Sequence, residues 1–165
     1  MKTYPILFCL LLSLSFSAFS QEKNWLRTKM KNADTVLLVS HEATAGVTIM
    51  DSAGNSTPPP TLLAAGQPNY KIIKEQQIIT GAQIDSLVKI LDRPFQDQIV
   101  ETGKCFIPHH ALFILKKGKV SYIEICFACK WYETSRDMNM IYAFDRRKWM
   151  ELENYLRQLG LTYEL

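Results

Sequence analysis

HHALFILKKGKVSYIEICF, residues 109–127, is the stretch on which the fold turns. Two runs rich in β-branched and aromatic residues flank Lys117-Gly118, a pair suited to a tight reversal, so the segment reads as a β-hairpin. With a two-residue turn Lys116 faces Lys119, and counting back sets His109 opposite Cys126. A four-residue loop, Lys116 to Lys119, gives the same register. Side chains then alternate. His109, Phe113, Tyr122, Glu124 and Cys126 share one side, and His110, Leu112, Ile114, Ile123, Ile125 and Phe127 share the other. The second set is strongly apolar and faces the core. The first mixes apolar and reactive groups, as a partly exposed face does. A three-residue loop would instead set His110 on the face of Cys126. In either register a histidine faces Cys126, with Cβ atoms ~5 Å apart.

On the N-terminal side of the hairpin, residues 21–34 are polar, with Trp25, Leu26 and Met30 as the large apolar residues, and read as a short helix or ordered lead-in. TVLLVS (35–40) and VTIM (47–50) read as strands. DSAGNS is turn chemistry, and Pro58-Pro59-Pro60 suits extended polyproline, so 51–69 reads as a long proline-bearing loop. KIIKEQQIIT (71–80) reads as a strand running into a helix. Thr80 and Gln83 form a capping box, with Ile79 and Ile84 as the hydrophobic staple. Ile84, Leu87, Val88 and Leu91 make one apolar stripe, and Pro94 ends the helix.

Beyond the hairpin, MNMIYAF (138–144) reads as another strand. Asp145 caps a last helix that carries Trp149, Leu152, Leu156 and Leu159 on one face. Gly160 fits its C′ stop, with Leu161 folding back. The Arg146-Arg147-Lys148 cluster reads as a solvated first turn. Strands outnumber helices and do not alternate regularly with them. The expected class is therefore α+β: an antiparallel sheet with a central Cys/His-bearing hairpin and two or three helices packed on one face.

The N-terminus adds a location. Lys2, the apolar run Ile6 to Phe16 and the small residues flanking Phe19 in Ala18-Phe19-Ser20 form a signal peptide over 1–20, cleaved near Ser20. The run is short of the ~20 apolar residues a membrane span needs, and no later segment is long or apolar enough to span one. The expected product is one domain, 21–165, secreted or periplasmic. The whole chain carries 19 basic and 16 acidic residues, and cleavage removes one lysine. A balance this close argues against nucleic acid as a partner.

Export leaves three cysteines, Cys105, Cys126 and Cys129, in a compartment where disulfides persist. Four readings stand. One is a disulfide, most simply Cys105 to Cys126 or to Cys129, with one thiol spare; a Cys126–Cys129 bond would point to redox chemistry, although C-x-x-C here closes a strand rather than opening a helix. Another is a zinc site drawn from Cys105, His109, His110, Cys126 and Cys129, which needs turns at both hairpin ends. A third is a Cys126 nucleophile with His109 as base and Glu124 orienting the ring, a thiol-dependent enzyme. The fourth is unpaired structural thiols. His41-Glu42 lacks a second histidine at metalloprotease spacing and reads as a strand end.

Cys105, Pro108, His109 and His110, then Glu124-Ile125-Cys126-Phe127 with Cys129, then Leu159-Gly160-Leu161 follow a recognisable order. Over residues 70–163 the chain resembles small exported bacterial proteins of uncharacterised function that carry C-x-x-P, a hairpin, E-I-C-F-x-C and a C-terminal helix ending in L-G-L. The resemblance implies that the hairpin is the group's hallmark and brings no activity with it. Residues and resemblance together predict an exported binding or structural module with a Cys/His cluster held by a disulfide or a zinc ion.

Overall fold

The computed structural model describes residues 24–45, 48–50, 52–96 and 100–165. The signal segment 1–20, its cleavage point and Val47 lie outside the described residues. Helix α1 (Trp25–Lys31) leads into β1 (Thr35–His41). Short strands β2 (Ile49–Met50), β3 (Ser56–Thr57), β4 (Leu63–Ala64) and β5 (Gln67–Pro68) follow. Then come β6 (Ile73–Ile78), α2 (Gly81–Leu91), β7 (His110–Lys116), β8 (Lys119–Cys126), β9 (Trp131–Thr134), a 3-10 turn (Arg136–Met138) and α3 (Arg146–Gln158). Five strands form one sheet in the order β6-β1-β7-β8-β9, with every pairing antiparallel. Among the described residues this sheet and three helices make an α+β fold.

The hairpin turns where its residues dictate. Lys116 pairs with Lys119, and Lys117 and Gly118 take φ of 49° and 75°, the left-handed pair that matches strand twist. Glycine adopts that conformation freely and lysine at some cost. The ladder runs back to His110 paired with Ile125 and stops there. At the next residue the His109 N–H also reaches the Ile125 carbonyl, at 3.3 Å. His109 therefore does not continue the ladder opposite Cys126, and Cys126 pairs with Trp131 of β9 instead.

One sheet face is the main core. Val36 and Leu38 of β1, Leu112 and Ile114 of β7, and Ile123 and Ile125 of β8 meet the buried faces of all three helices. In α2 these are Ile84, Leu87, Val88 and Leu91, the stripe its periodicity marks. The Thr80 N–H donates to Gln83 Oε1 at 3.3 Å, and Ile79 and Ile84 are both buried beside it. In α3 the Asp145 carboxylate accepts the Lys148 N–H at 2.7 Å. The helix ends with Gly160 at φ 82°. Gly160 N–H bonds the Arg157 carbonyl at 3.0 Å and Leu161 N–H the Leu156 carbonyl at 3.1 Å, a Schellman closure that returns Leu161 to the core.

Three expectations are corrected. MNMIYAF is not a strand. Met138 and Phe144 are buried while Met140 and Tyr142 are exposed, and Ile141 packs partly on the core. Inward residues thus recur every three positions. The outer edge of β8 is taken by β9, which pairs with it over Ile123 to Cys126. The 51–69 stretch is not a plain loop. It supplies β3, which pairs with the preceding β2, carries the β4–β5 ladder, and presses Leu62 onto the second sheet face.

Nor is the basic cluster wholly solvated. Lys148 is fully buried, and its ammonium donates to the carbonyls of Leu91 at 3.1 Å, Tyr142 at 3.1 Å and Ala143 at 3.3 Å. It thereby caps the C-terminal end of α2, where carbonyls lack helical partners. Burial still pulls its pKa down to about 8.

Candidate functional site

The sheet gathers all three histidines of the chain at one end. His41 closes β1, His110 opens β7 and His109 immediately precedes it. Backbone pairing does the gathering: Ser40 pairs with His110, and the His41 N–H donates to the His109 carbonyl at 2.8 Å. In return the His109 Nδ1–H donates to the His41 carbonyl at 3.1 Å. Glu124 and Cys126 finish β8 on the same side of the sheet's length.

On the face away from the helices, His41 meets Glu124. Alternation sets His41 with Leu37 and Val39, and Glu124 with Val120 and Tyr122. Strand β7 lies between them, and the residue it presents there is Ala111, paired with both Val39 and Glu124. A methyl group leaves room for the longer side chains to approach over it. His41 Nε2 lies 3.9 Å from Glu124 Oε1. His41 Nδ1–H donates to the Glu42 carbonyl at 2.7 Å, so in the neutral ring Nε2 carries the lone pair. That nitrogen is buried and makes no hydrogen bond. The Thr44 hydroxyl donates to Glu124 Oε1.

Burial dominates the electrostatics. It holds His41 below the usual imidazole range despite the bond to the Glu42 carbonyl. It pushes Glu124 up to about 7, opposed by the Thr44 hydroxyl and reinforced by the charge of Glu133, its partner across β8 and β9. A carboxyl that titrates near neutrality beside a neutral imidazole can hold or release a proton at physiological pH.

The helix face at the same end is a clamp. Glu75 accepts from the Ser40 hydroxyl at 2.8 Å and from the Thr162 and Tyr163 N–H groups at 2.7 and 3.0 Å. It thus ties the chain after α3 to β6. Burial raises the Glu75 pKa, but these donors outweigh it and hold the carboxyl below its usual range. His110 is buried edge-on to Phe127, with ring centroids 5.2 Å apart. Neither of its ring nitrogens has a hydrogen-bond partner. Burial, then the fields of His41 and His109, lower its pKa to about 4.

Cys126 and Cys129 flank the β8–β9 turn with their sulfurs 2.10 Å apart, disulfide distance. Both are nearly buried. Cys105 is exposed and outside that pair. Among the described residues no three His, Cys, Asp or Glu side chains converge as a metal ion requires. Cys105, His109, His110, Cys126 and Cys129 therefore do not converge as a single ligand set. The nucleophile constellation is also rearranged: Glu124 lies beside His41 rather than orienting His109, and the Cys126 sulfur is engaged by Cys129.

The residue that sequence reasoning set aside is His41. The signal was the alanine in HALFIL: a small residue on a central strand leaves space above it, and its neighbours' neighbours can meet there. A groove of about 990 Å³ lies elsewhere, lined by Arg27, Asp85, Lys89, Arg93, Glu151 and Gln158 among others. Much of that lining is engaged in ion pairs, Arg27 with Asp85 and Arg93 with Glu151. No family model, no characterised protein and no solved structure matches this chain.

Proposed function

We propose that this chain is an exported binding or structural module whose histidine-rich sheet end is braced by a Cys126–Cys129 disulfide. The observation that carries the reading is the pair of sulfurs 2.10 Å apart in the β8–β9 turn, both nearly buried. Sulfurs that bond each other and are shielded from solvent serve structure better than they serve nucleophilic attack. The apolar leader supports export, and disulfides persist where exported proteins reside. The resemblance over 70–163 to small exported bacterial proteins agrees with both. The part of such a module that would respond to a ligand is the sheet end where half-buried Thr44 covers the buried pair His41 and Glu124.

Intact mass measured without and with reductant tests the reading. A deficit of about two daltons that reductant removes, mapped by peptides to Cys126 and Cys129, supports it. Three thiols that all alkylate in unfolded, unreduced protein overturn it. Zinc measured under native conditions at about one ion per chain would restore the metal alternative.

A further inference from the structure

Resting on the disulfide just proposed, we infer that Cys105 is an exchange partner for it, so that the turn can switch between a Cys126–Cys129 bond and a Cys105–Cys129 bond. The argument begins with Gly103. Its N–H donates to the Cys129 carbonyl at 2.7 Å. A Cβ at Gly103 would sit 3.2 Å from the Cys129 Cα, so the two backbones touch. Glycine permits this approach, and it anchors the segment before β7 on the turn that carries the disulfide.

Cys105 is two residues further along, and two residues span at most ~7 Å. The chain bends at Lys104 and Cys105 instead of running straight away from the turn. Residues 101–105 are exposed and belong to no strand or helix. The segment is therefore held at Gly103 and lightly constrained beyond it. A disulfide needs Cα atoms roughly 4.4–6.8 Å apart, within reach of a modest movement about that anchor.

Two further contacts choose which sulfur is attacked and which leaves. Cys129 is the residue the anchor touches. Cys126 Sγ accepts the Cys129 N–H at 3.1 Å, and a donor aimed at a sulfur stabilises it as a thiolate. The Cys105 thiolate attacks Cys129 Sγ, forming a Cys105–Cys129 bond as the Cys129–Cys126 bond breaks. The electron pair leaves on Cys126, which takes up a proton. One disulfide and one thiol stand on each side, so no external oxidant or reductant enters. The exposed thiol disappears, and the segment before β7 becomes covalently tied to the β8–β9 turn.

A Cys126→Ser chain, prepared without reductant, isolates the alternative bond. The expected result is a monomer about two daltons light, with Cys105 and Cys129 both protected from maleimide in denaturant. Two labelled thiols, or chains joined to one another through Cys105, overturn the proposal. Because this variant can fail to fold, the native chain provides a second measurement. It is held without oxygen near ~pH 8.5 to favour thiolate, then acid-quenched, unfolded, alkylated and digested. Label divided between Cys105 and Cys126, and absent from Cys126 in Cys105→Ser, is expected. Label on Cys105 alone overturns exchange while leaving the Cys126–Cys129 reading intact. A native chain with no Cys126–Cys129 bond removes both.

Discussion

The two faces of the sheet are covered in different ways. Among the described residues three helices close one face, and twenty-one buried side chains form a core cluster there. The other face is closed by the stretch between β1 and β6, whose ladders are two residues long. Its buried cluster is Leu37, Val39, Leu62, Ala111 and Phe113. The thick side has apolar area enough to bury even Lys148 with three carbonyls around it. The thin side ends in His41, Glu124 and Thr44. The first face carries the larger apolar core, and the second encloses an imidazole and a carboxyl whose titration is shifted by their burial.

The sharpest way to break this contrast is a pair of truncations. Leu112→Ala on the helix face should cost about 3 kcal/mol in denaturant unfolding, the range for a fully enclosed leucine. Leu62→Ala, at the rim of the thin face and 9% exposed, should cost about 1 kcal/mol because its site can collapse or hydrate. Equal losses would mean that the two covers are energetically alike.

Next in size is a contrast in pH dependence, worth about 2 kcal/mol at each site given shifts of this size in buried groups. The Glu124 pKa rises on folding from 4.5 to about 7, so the native state binds more protons between those values. Its contribution is full below about 4.5 and is lost as pH rises through about 7. The His110 pKa falls from 6.5 to about 4, so its contribution is present above 6.5 and is lost as pH falls toward 4. Glu124→Gln should flatten the neutral limb of the stability profile, and His110→Phe the acid limb. Thermal melts across pH 4–8 that show no such division between the variants would discard the assignment.

A smaller effect is expected at the turn that joins β8 to β9. The loop closed by Cys126 and Cys129 has a separation of three residues. Loop closure this short restricts the unfolded chain by only ~2 kcal/mol, so Cys129→Ser should lower the unfolding midpoint modestly while far-UV circular dichroism stays the same. Collapse of the fold would instead make the turn part of the main core. The smallest change is at the solvated side of α3. Arg157 pairs with Glu153 one turn earlier at 2.9 Å, and Arg157→Ala should cost no more than ~0.5 kcal/mol. A larger loss would show that this helix depends on its outer face as well as its inner one.

Local signals were legible in proportion to how local their physics is. The reversal at Lys117-Gly118 depends on two φ angles and a period of two, and the Lys116–Lys119 pairing follows from them alone. The Thr80 cap, the Ile84 to Leu91 stripe and the Gly160 stop likewise involve residues within one or two helical turns. Strand β9 escaped notice because Trp131 to Thr134 is short and half-exposed. It is a strand only because β8 offers it an edge. MNMIYAF misled for the converse reason: its apolar density suits a strand, but its inward residues fall at every third position rather than every second.

The amino-acid order by itself settled the α+β class, the hairpin, the two capped helices and the one short segment rich in cysteine and histidine, since each arises from contacts among near neighbours. Tertiary structure alone decided that His41 and Glu124 meet. That depends on β1, β7 and β8 lying side by side with Ala111 in the middle, and no spacing along the chain encodes it. It also decided that Lys148 is buried, because the carbonyls that receive it come from the end of another helix and the approach to its own. Cysteine pairing belongs to the same class: three sulfurs allow several bonds, and only the β8–β9 turn brings Cys126 and Cys129 to bonding distance.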